Sequence, residues 1–411
     1  MFIEKKKTGA VLLVAFFLKC FAMGLSFPLF SFFLFDQDLS FLPTATSDTL
    51  RGLWLGLVFG VVSLCQFISA PVAGTFSDKK GRRWVLLFLL ALNLIGTLIA
   101  STAALEESLL LLLVSRIFMG ISGGSFTLIY ASIADISDKA AVPKNFGLLN
   151  ALKALGYASG AFLSASISKI PLGTVGPLAK PFILAALCMT LGFGLLYFLL
   201  EETFPVKKGL SLTIKNTLQD LKAGLSLPKI QVALLTVLIF CFGWSFYFEF
   251  FPVTLIKTLF ADRSLVGNLS ALLTASNALC SALLIRPVFD HFKNSTILKW
   301  SMLLLTLTLA FLFFELKISI LWFVIPIQQF LIALIYVSLV TYIWSLARAD
   351  NKGQFLGTYQ SIKSVSFSLS PFAGALLGIS PNLPILLPMC FTAIAAAILW
   401  RLLRKNRKIR T

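Results

Sequence analysis

Charge is scarce in this sequence of 411 residues: Asp, Glu, Lys and Arg together make up 13%, where a soluble domain carries about 25%. That scarcity excludes an ordinary soluble enzyme, a disordered chain and a fibrous repeat. Histidine is nearly absent, with His291 alone, and the six cysteines, Cys20, Cys65, Cys188, Cys241, Cys280 and Cys390, stand singly in apolar stretches with no CxxC pair. Neither a disulfide framework nor a zinc site follows from such spacing. With one loop histidine and one carboxylate inside the apolar stretches, no nucleophile and base pair assembles either, so the expectation is no enzyme, no catalytic residue, no cofactor and no metal. What is abundant is apolar side chain, 58% of the residues with 40 phenylalanines among them. Gathered into spans of about 20 residues, these supply roughly twelve membrane crossings.

Twelve apolar runs are indeed found, near 9–35, 52–74, 84–104, 109–133, 145–168, 181–200, 230–256, 265–288, 297–314, 318–346, 355–379 and 384–402. Their length and their content of Phe, Leu, Gly and Ala predict membrane-spanning helices rather than barrel strands. The first run follows Lys5, Lys6 and Lys7, but it is long, contains Lys19 and precedes no small-residue cleavage site, so it is read as a retained helix.

The net charge of +18 invites a nucleic-acid reading until the charges are located. With the amino terminus inside, 24 of the 35 Lys and Arg residues fall on inner segments, six on outer loops and five within spans. The bias of basic residues toward the inner side predicts both termini in the cytoplasm, and it removes the case for nucleic acid. Residues 201–229 form the longest loop and divide the chain into bundles at 1–200 and 230–411. Within that loop Ile214, Leu218, Leu221 and Leu225 keep helical spacing while Lys215 and Lys222 point elsewhere, which suggests an amphipathic helix on the inner leaflet, a plain solvated loop being the alternative.

The two halves echo each other. Phe27-Pro28-Leu29 matches Phe251-Pro252-Val253, Asp78 matches Asp290, Ala134-Asp135 matches Ala349-Asp350, and Gly147 matches Gly357 at an offset that lays Lys153 over Lys363. Parallel repetition of six-helix halves is a transporter architecture whose binding site lies at the midplane. The segment Gly74-Thr75-Phe76-Ser77-Asp78-Lys79-Lys80-Gly81-Arg82-Arg83 resembles the signature of the major facilitator superfamily between helices two and three. Leu112, Arg116, Met119, Gly120 and Gly123 resemble its helix-four motif, with Met119 where Gln is usual. Ile133-Ala134-Asp135-Ile136, Lys144-Asn145-Phe146-Gly147 and Leu200-Glu201-Glu202-Thr203 resemble the drug:proton antiporter branch that includes tetracycline efflux proteins. Two departures stand out. Helix five reads Gly156, Gly160, Ala161, Ser164 and Ala165 without the branch's proline and glycine pair, and the second-half loop around Arg286 and Asp290 keeps only the aspartate.

The resemblance implies an all-α membrane protein of twelve helices in two pseudo-symmetric six-helix bundles, a monomer in a bacterial cytoplasmic (inner) membrane. It also implies a cytoplasmic gate of Gly74, Asp78, Lys79, Gly81, Arg82, Arg83 and Asp290, in which Asp78 faces the positive end of helix eleven near Phe355 and the arginines meet carboxylates. Gly74 and Gly81 serve tight turning and helix approach. In helix five Gly156, Gly160 and Ser164 form a small-residue ridge suited to packing against a helix of the other half, and Ser370, Gly374 and Gly378 repeat it in helix eleven.

Ionisable groups inside a membrane span are costly, so each is a functional candidate. Lys19 lies near the midplane of helix one, Lys153 and Lys363 are as deep from the inner side, Arg116 sits in helix four and Glu249 in helix seven. The bland alternatives are snorkelling for the lysines and a structural pair for Arg116 with Glu249. A surplus of cations in low dielectric favours an anionic or zwitterionic solute. The expected substrate site therefore comprises Lys19, Lys153 and Lys363, flanked by Trp244, Tyr247, Gln328 and Gln329. Glu249 is the expected proton carrier and Arg116 its alternating partner. The competing functions are efflux of lipophilic drugs in exchange for protons and, on the same scaffold, lipid flipping.

Overall fold

In the computed structural model, residues 2–36, 40–138, 142–169, 176, 179–203, 228–346 and 352–408 are described. The expected linker helix around Ile214–Leu225 lies outside them. Among the described residues the chain is helical throughout, with no β-strand. The first apolar run becomes two helices, α1 (Phe2–Ser26) and α2 (Leu29–Phe35), interrupted at Phe27-Pro28, because proline has no N–H to give the preceding turn. The second run is the long helix α3 (Asp48–Lys80), and α4 (Arg82–Leu105) follows after one residue, Gly81. That single residue makes the whole turn. Its φ of +94° is open to glycine and strained for any side chain.

The fourth run is also broken, into α5 (Leu109–Ile121) and α6 (Gly124–Ile136), and α7 (Val142–Lys169) and α8 (Ala179–Leu199) complete the first half. The second half holds α9 (Pro228–Leu259), α10 (Arg263–Leu283), a short α11 (Ile285–His291), α12 (Asn294–Phe314) and α13 (Ile318–Leu346). The eleventh run is α14 (Lys352–Leu369), which tightens into a 3₁₀ segment, Ser370–Gly378, and α15 (Leu383–Lys408) closes the order.

Ten of the twelve expected spans have the length and apolarity to cross a bilayer. The other two, the fifth and the eleventh, are helical over Val142–Lys169 and over Lys352–Gly378, but they are diluted by Ser, Gly, Asn and a central lysine, Lys153 or Lys363. The pair that falls short is thus the pair related by the internal repeat.

The helices gather into two compact units. One comprises 1–46, 57–212 and 261–275, and the other comprises 47–56, 213–260 and 276–411. The division does not follow the six-and-six count helix by helix, since the first turns of α3 group with the second unit and the first half of α10 with the first.

Within the first unit, α1 runs through a core that includes Leu12, Phe16, Leu86, Leu89, Leu128 and Ile129. The ridge on α7 packs here, against α1. A Cβ on Gly156 would press on Cys20 and Phe17, one on Gly160 would strike the backbone of Phe21 and Leu25, and the Ser164 hydroxyl donates to the Leu25 carbonyl at 2.8 Å. The expected partner is therefore corrected to helix one of the same bundle, where glycines bring two backbones into direct contact. Among the described residues, nothing lies within 4 Å of where a Cβ on Gly74 would be.

Within the second unit, Gly374 faces the backbone of Gly52, Gly378 faces Thr49, and Gly56 faces Pro371, each with no room for a side chain. Beside them Lys257 pairs with Asp48 at 2.9 Å. The 3₁₀ segment therefore seats the opening turns of α3.

These contacts separate two substitutions of the same kind. Gly160→Ala is expected to lower the melting temperature of the detergent-purified protein, by about 1–3 kcal/mol of overpacking. Gly74→Ala should leave it unchanged or raise it, because a helical Gly costs roughly 0.5–1 kcal/mol relative to Ala. Equal melting temperatures for the two variants would remove the assigned role of the ridge.

Candidate functional site

Each unit carries its own group of charged and polar side chains. In the first, Lys19 on α1 is 1% exposed. Its Nζ donates to the Ser122 carbonyl at 3.1 Å and to the Ser125 hydroxyl, and lies 4.5 Å from the Phe126 ring centroid. These partners sit where the fourth span breaks. The last carbonyls of a helix lack intrahelical donors and carry its negative dipole end, so an ammonium placed there meets both needs. Behind the break, Asn93 Nδ2 donates to the Ser122 hydroxyl at 2.7 Å, and Thr97 donates to the Asn93 side chain at 3.3 Å. Both hydrogen bonds and the aromatic contact of the Lys19 ammonium are thus made to groups of its own bundle.

Arg116, on α5, is buried with its guanidinium carbon 4.1 Å from the Phe30 ring centroid. Its Nε and Nη2 have no hydrogen-bond partner. A cation over an aromatic face recovers part of its lost hydration but none of its hydrogen bonds. Lys153 on α7 is exposed, with Nζ 5.6 Å from the same Phe126 ring that carries Lys19. The first unit therefore holds three cations, two of which share one phenyl ring.

In the second unit Lys363, on α14, lies half-buried with Nζ 4.4 Å from the Tyr336 ring centroid, and Tyr336 meets Phe240 edge-on at 5.6 Å. Glu249, on α9, is buried, accepts from the Ser245 hydroxyl at 3.3 Å through Oε1, and leaves Oε2 without a hydrogen bond. Trp244, Tyr247, Gln328 and Gln329 are all buried in this unit, and Tyr247 donates to Gln328 Oε1 at 3.0 Å. The expected substrate residues are thus brought together in two sets, with Lys19 and Lys153 in one unit and Lys363 with the aromatic and amide residues in the other.

The expected gate motif is well organised in the first unit. Glu202 places its carboxylate at the start of α4, where Oε1 accepts from the Arg82 N–H at 2.8 Å and Oε2 from the Arg83 N–H at 3.2 Å. Negative charge at a helix amino terminus is favourable, and two of the four orphan N–H groups find partners there. Arg82 Nε pairs with Asp135 at 3.0 Å and its Nη1 donates to the Ser77 hydroxyl, while Arg83 Nη2 donates to the Tyr197 carbonyl at 2.9 Å. Lys79 lies in the last turn of α3. The contact expected of the Asp78 side chain lies outside the described residues. Asp290 is an exposed neighbour of Arg286 at 3.9 Å, one turn away on the same short helix.

Sequence reasoning missed the break at Ser122-Gly123 and, with it, the partners of Lys19. A signal was present in the run Ser122-Gly123-Gly124-Ser125 inside an apolar stretch. Tyr336, the aromatic seat of Lys363, was missed too.

A polytopic bundle of membrane-length helices with an internal repeat and buried cations defines a membrane protein of the transporter architecture. Residues 12–371 match the Major Facilitator Superfamily, and the chain belongs to it. Its similarities run to tetracycline resistance protein, class C, of Escherichia coli, 34% identical over 149 residues, covering 36% of this chain and 35% of that protein. Major facilitator superfamily domain-containing protein 10 of Bos taurus is 35% identical over 156 residues, covering 38% and 32%. Multidrug resistance protein MdtG of Escherichia coli is 28% identical over 275 residues, covering 66% and 61%. The alignments thus span about a third of the first two relatives and less than two thirds of the last. Among solved structures, the human organic anion transporter MFSD10 (TETRAN) superposes with a TM-score of 0.68 at 19% identity over 96% of this chain and 99% of that one. An inward-facing bacterial homolog of the human lysosomal transporter Spinster gives 0.77 at 13% identity over 98% of each. At such identities the shared property is the fold.

The seat of Lys19 generates a prediction. Lys19→Met removes the ammonium bonds to the Ser122 carbonyl and the Ser125 hydroxyl, while the carbonyl keeps the Ser125 N–H at 3.0 Å, and a hydrogen bond to a charged group is worth about 1.5–3 kcal/mol. A lowered melting temperature is expected, with a smaller loss for Ser125→Ala, which keeps the carbonyl contact. A Lys19→Met protein as stable as wild type would exclude the lysine as the support of the helix break.

Proposed function

We propose that this protein is a secondary active transporter that carries a small organic anion or zwitterion across the membrane by alternating access, driven by protons. The observation that carries the reading is the imbalance of charge deep in the helices. Among the described residues, Lys19, Arg116, Lys153 and Lys363 lie well inside the ends of their helical segments, against the single carboxylate of Glu249. In low dielectric such a surplus lowers the energy of a bound anion. Membership of the superfamily supports transport, and the similarity to a protein whose solved structure is named as an organic anion transporter supports the sign of the cargo.

Lys153 and Lys363 are the substrate cations in this reading, because the internal repeat lays one over the other and each ammonium lies over an aromatic ring of its own unit. Lys19 contributes charge from beneath. Glu249 carries the proton and Arg116 supplies the opposing charge, and both retain buried polar atoms without hydrogen bonds, as groups that change partners during a cycle require. Glu202, Arg82, Asp135 and Arg83 hold the cytoplasmic end of the first bundle, with Gly74, Asp78, Lys79 and Asp290 completing the gate. The protein acts as a monomer in a bacterial inner membrane with both termini in the cytoplasm, and it performs no chemistry on its cargo.

A second reading, efflux of a lipophilic drug against protons, is favoured by the likeness to the tetracycline resistance protein and to MdtG. Proteoliposomes with an imposed pH gradient separate the two, loaded in parallel with a panel of organic acids, with tetracycline and with a lipophilic cation.

In that assay, single Lys153→Gln and Lys363→Gln variants are expected to lose about 10- to 100-fold in transport of the acid, since a charge-assisted hydrogen bond is worth about 1.5–3 kcal/mol. The double variant should fall to background. Undiminished acid transport by the double variant, or transport of the lipophilic cation alone, would overturn the anion reading. Glu249→Gln should abolish the response to the pH gradient while leaving exchange of unlabelled for labelled cargo intact; a Glu249→Gln protein that still concentrates cargo against a pH gradient would place coupling elsewhere.

A further inference from the structure

The second unit contains an arrangement that charge alone does not explain. On α9, Phe240, Trp244, Tyr247 and Phe251 recur at spacings of four, three and four and so occupy one helical face. Three of them form a pile. Tyr247 stacks on Trp244 at 4.8 Å and 25°, and on Phe251 at 4.7 Å and 21°. Against this stripe α13 sets two consecutive glutamines, Gln328 and Gln329, which are 0% and 2% exposed. Each amide is fastened at one end only. Gln328 Oε1 accepts from the Tyr247 hydroxyl at 3.0 Å and Gln329 Oε1 accepts from Asn277 Nδ2 at 3.2 Å, while both Nε2 groups are buried with no hydrogen-bond partner among the described residues.

Two buried amide donors without acceptors are costly, whereas apolar side chains of similar size would fill the same space at no such cost. Packing therefore does not account for them. A hydrogen-bond acceptor brought by a ligand does. From Gln329 seven residues along α13 lead to Tyr336, two turns away on the same face and about 10 Å along the axis, and Tyr336 carries Lys363 at 4.4 Å and meets Phe240 at 5.6 Å. The stripe of α9 follows the same route, from Phe251 and Tyr247 beside Gln328 to Phe240 beside Tyr336. An aromatic wall thus runs from a pair of amide donors at one end to an ammonium at the other.

We propose that the second unit holds a subsite for an aromatic ring bearing a hydrogen-bond acceptor, with Trp244, which ends the pile, as the stacking surface and the Gln328 and Gln329 amides as the donors, so that the cargo is an aryl carboxylate rather than an aliphatic acid or a sugar. The assignment rests on the anion reading above and narrows it. The carboxylate is drawn to Lys363, the ring lies against the α9 stripe, and a phenolic or carbonyl oxygen meets the amides. One six-membered ring with a hydrogen bond at each end matches the two turns that separate Gln329 from Tyr336.

The test uses the full chain purified in nanodiscs and two probes of the same charge and substituents, para-hydroxybenzoate and its ring-saturated counterpart para-hydroxycyclohexanecarboxylate, with binding read by calorimetry and by the shift in melting temperature. The aromatic acid is expected to bind about five- to tenfold more tightly, a gain that ring stacking alone supplies, since the saturated ring hides as much apolar surface. This comparison needs no variant, so it stands even where substitution impairs folding. Trp244→Leu should bring the two affinities within about threefold, and Gln328→Leu combined with Gln329→Leu should weaken para-hydroxybenzoate but leave unsubstituted benzoate little changed. Equal binding of the two acids by the wild-type protein overturns the aromatic subsite and leaves the anion reading standing. Absence of binding by either acid at millimolar concentration, with retained binding of a lipophilic cation, overturns both.

Discussion

A peptide carbonyl within hydrocarbon has only protein to accept from, and the carbonyl of Ser122, at a break in the middle of its span, accepts from the Ser125 N–H at 3.0 Å and from the Ser125 hydroxyl at 2.7 Å. The ammonium of Lys19 meets it there. Much of the first unit depends on that contact. The break separates α5, which carries Arg116 over Phe30, from α6, whose opening turn carries Phe126. The ammonium of Lys153 in turn lies over Phe126. The buried lysine therefore stands at the junction between the helix that carries Arg116 and the ring that meets Lys153.

The second unit handles the same constraint differently. Its counterpart of the small-residue ridge does not end in a lysine-filled break but in a 3₁₀ turn, Ser370–Gly378, whose glycines accept the opening turns of α3 against bare backbone. Polar groups remain less completely satisfied here, at Glu249 Oε2, Gln328 Nε2 and Gln329 Nε2. In the first unit the guanidinium of Arg116 is in the same position, with Nε and Nη2 lacking hydrogen bonds among the described residues.

Much of this was legible in the amino-acid order. The helical membrane architecture follows from apolar runs of the right length, and the turn at Gly81 from the glycine signature, since both are local properties. The partners of buried charges were not legible. Lys19 reaches a carbonyl 103 residues away, and Glu202 caps a helix 120 residues before it, and no local pattern reports a contact at such separation. The ridge on α7 was recognisable as a packing surface, but a ridge of small residues does not say which helix it receives. Gln328 and Gln329 were noticed as polar residues in an apolar run, while the feature that gives them meaning, a donor left over on each, exists only once Tyr247 and Asn277 are in place.

The two helices that fall short in apolarity bear on how the chain enters the membrane. A lysine at the centre of a lone helix raises the cost of insertion by about 2.5–3.5 kcal/mol, so α7 and α14 are poor candidates to enter the lipid unaided. Each has a receiving helix in its own unit, α1 for Val142–Lys169 and α9 for Lys352–Leu369. In both cases the receiving helix leaves the ribosome first. The glycines of α7 and the aromatic seat of Lys363 are then, before they are anything else, landing sites for biogenesis: the repeat that builds the transport architecture also arranges for every reluctant helix to be synthesised after the helix that shelters it.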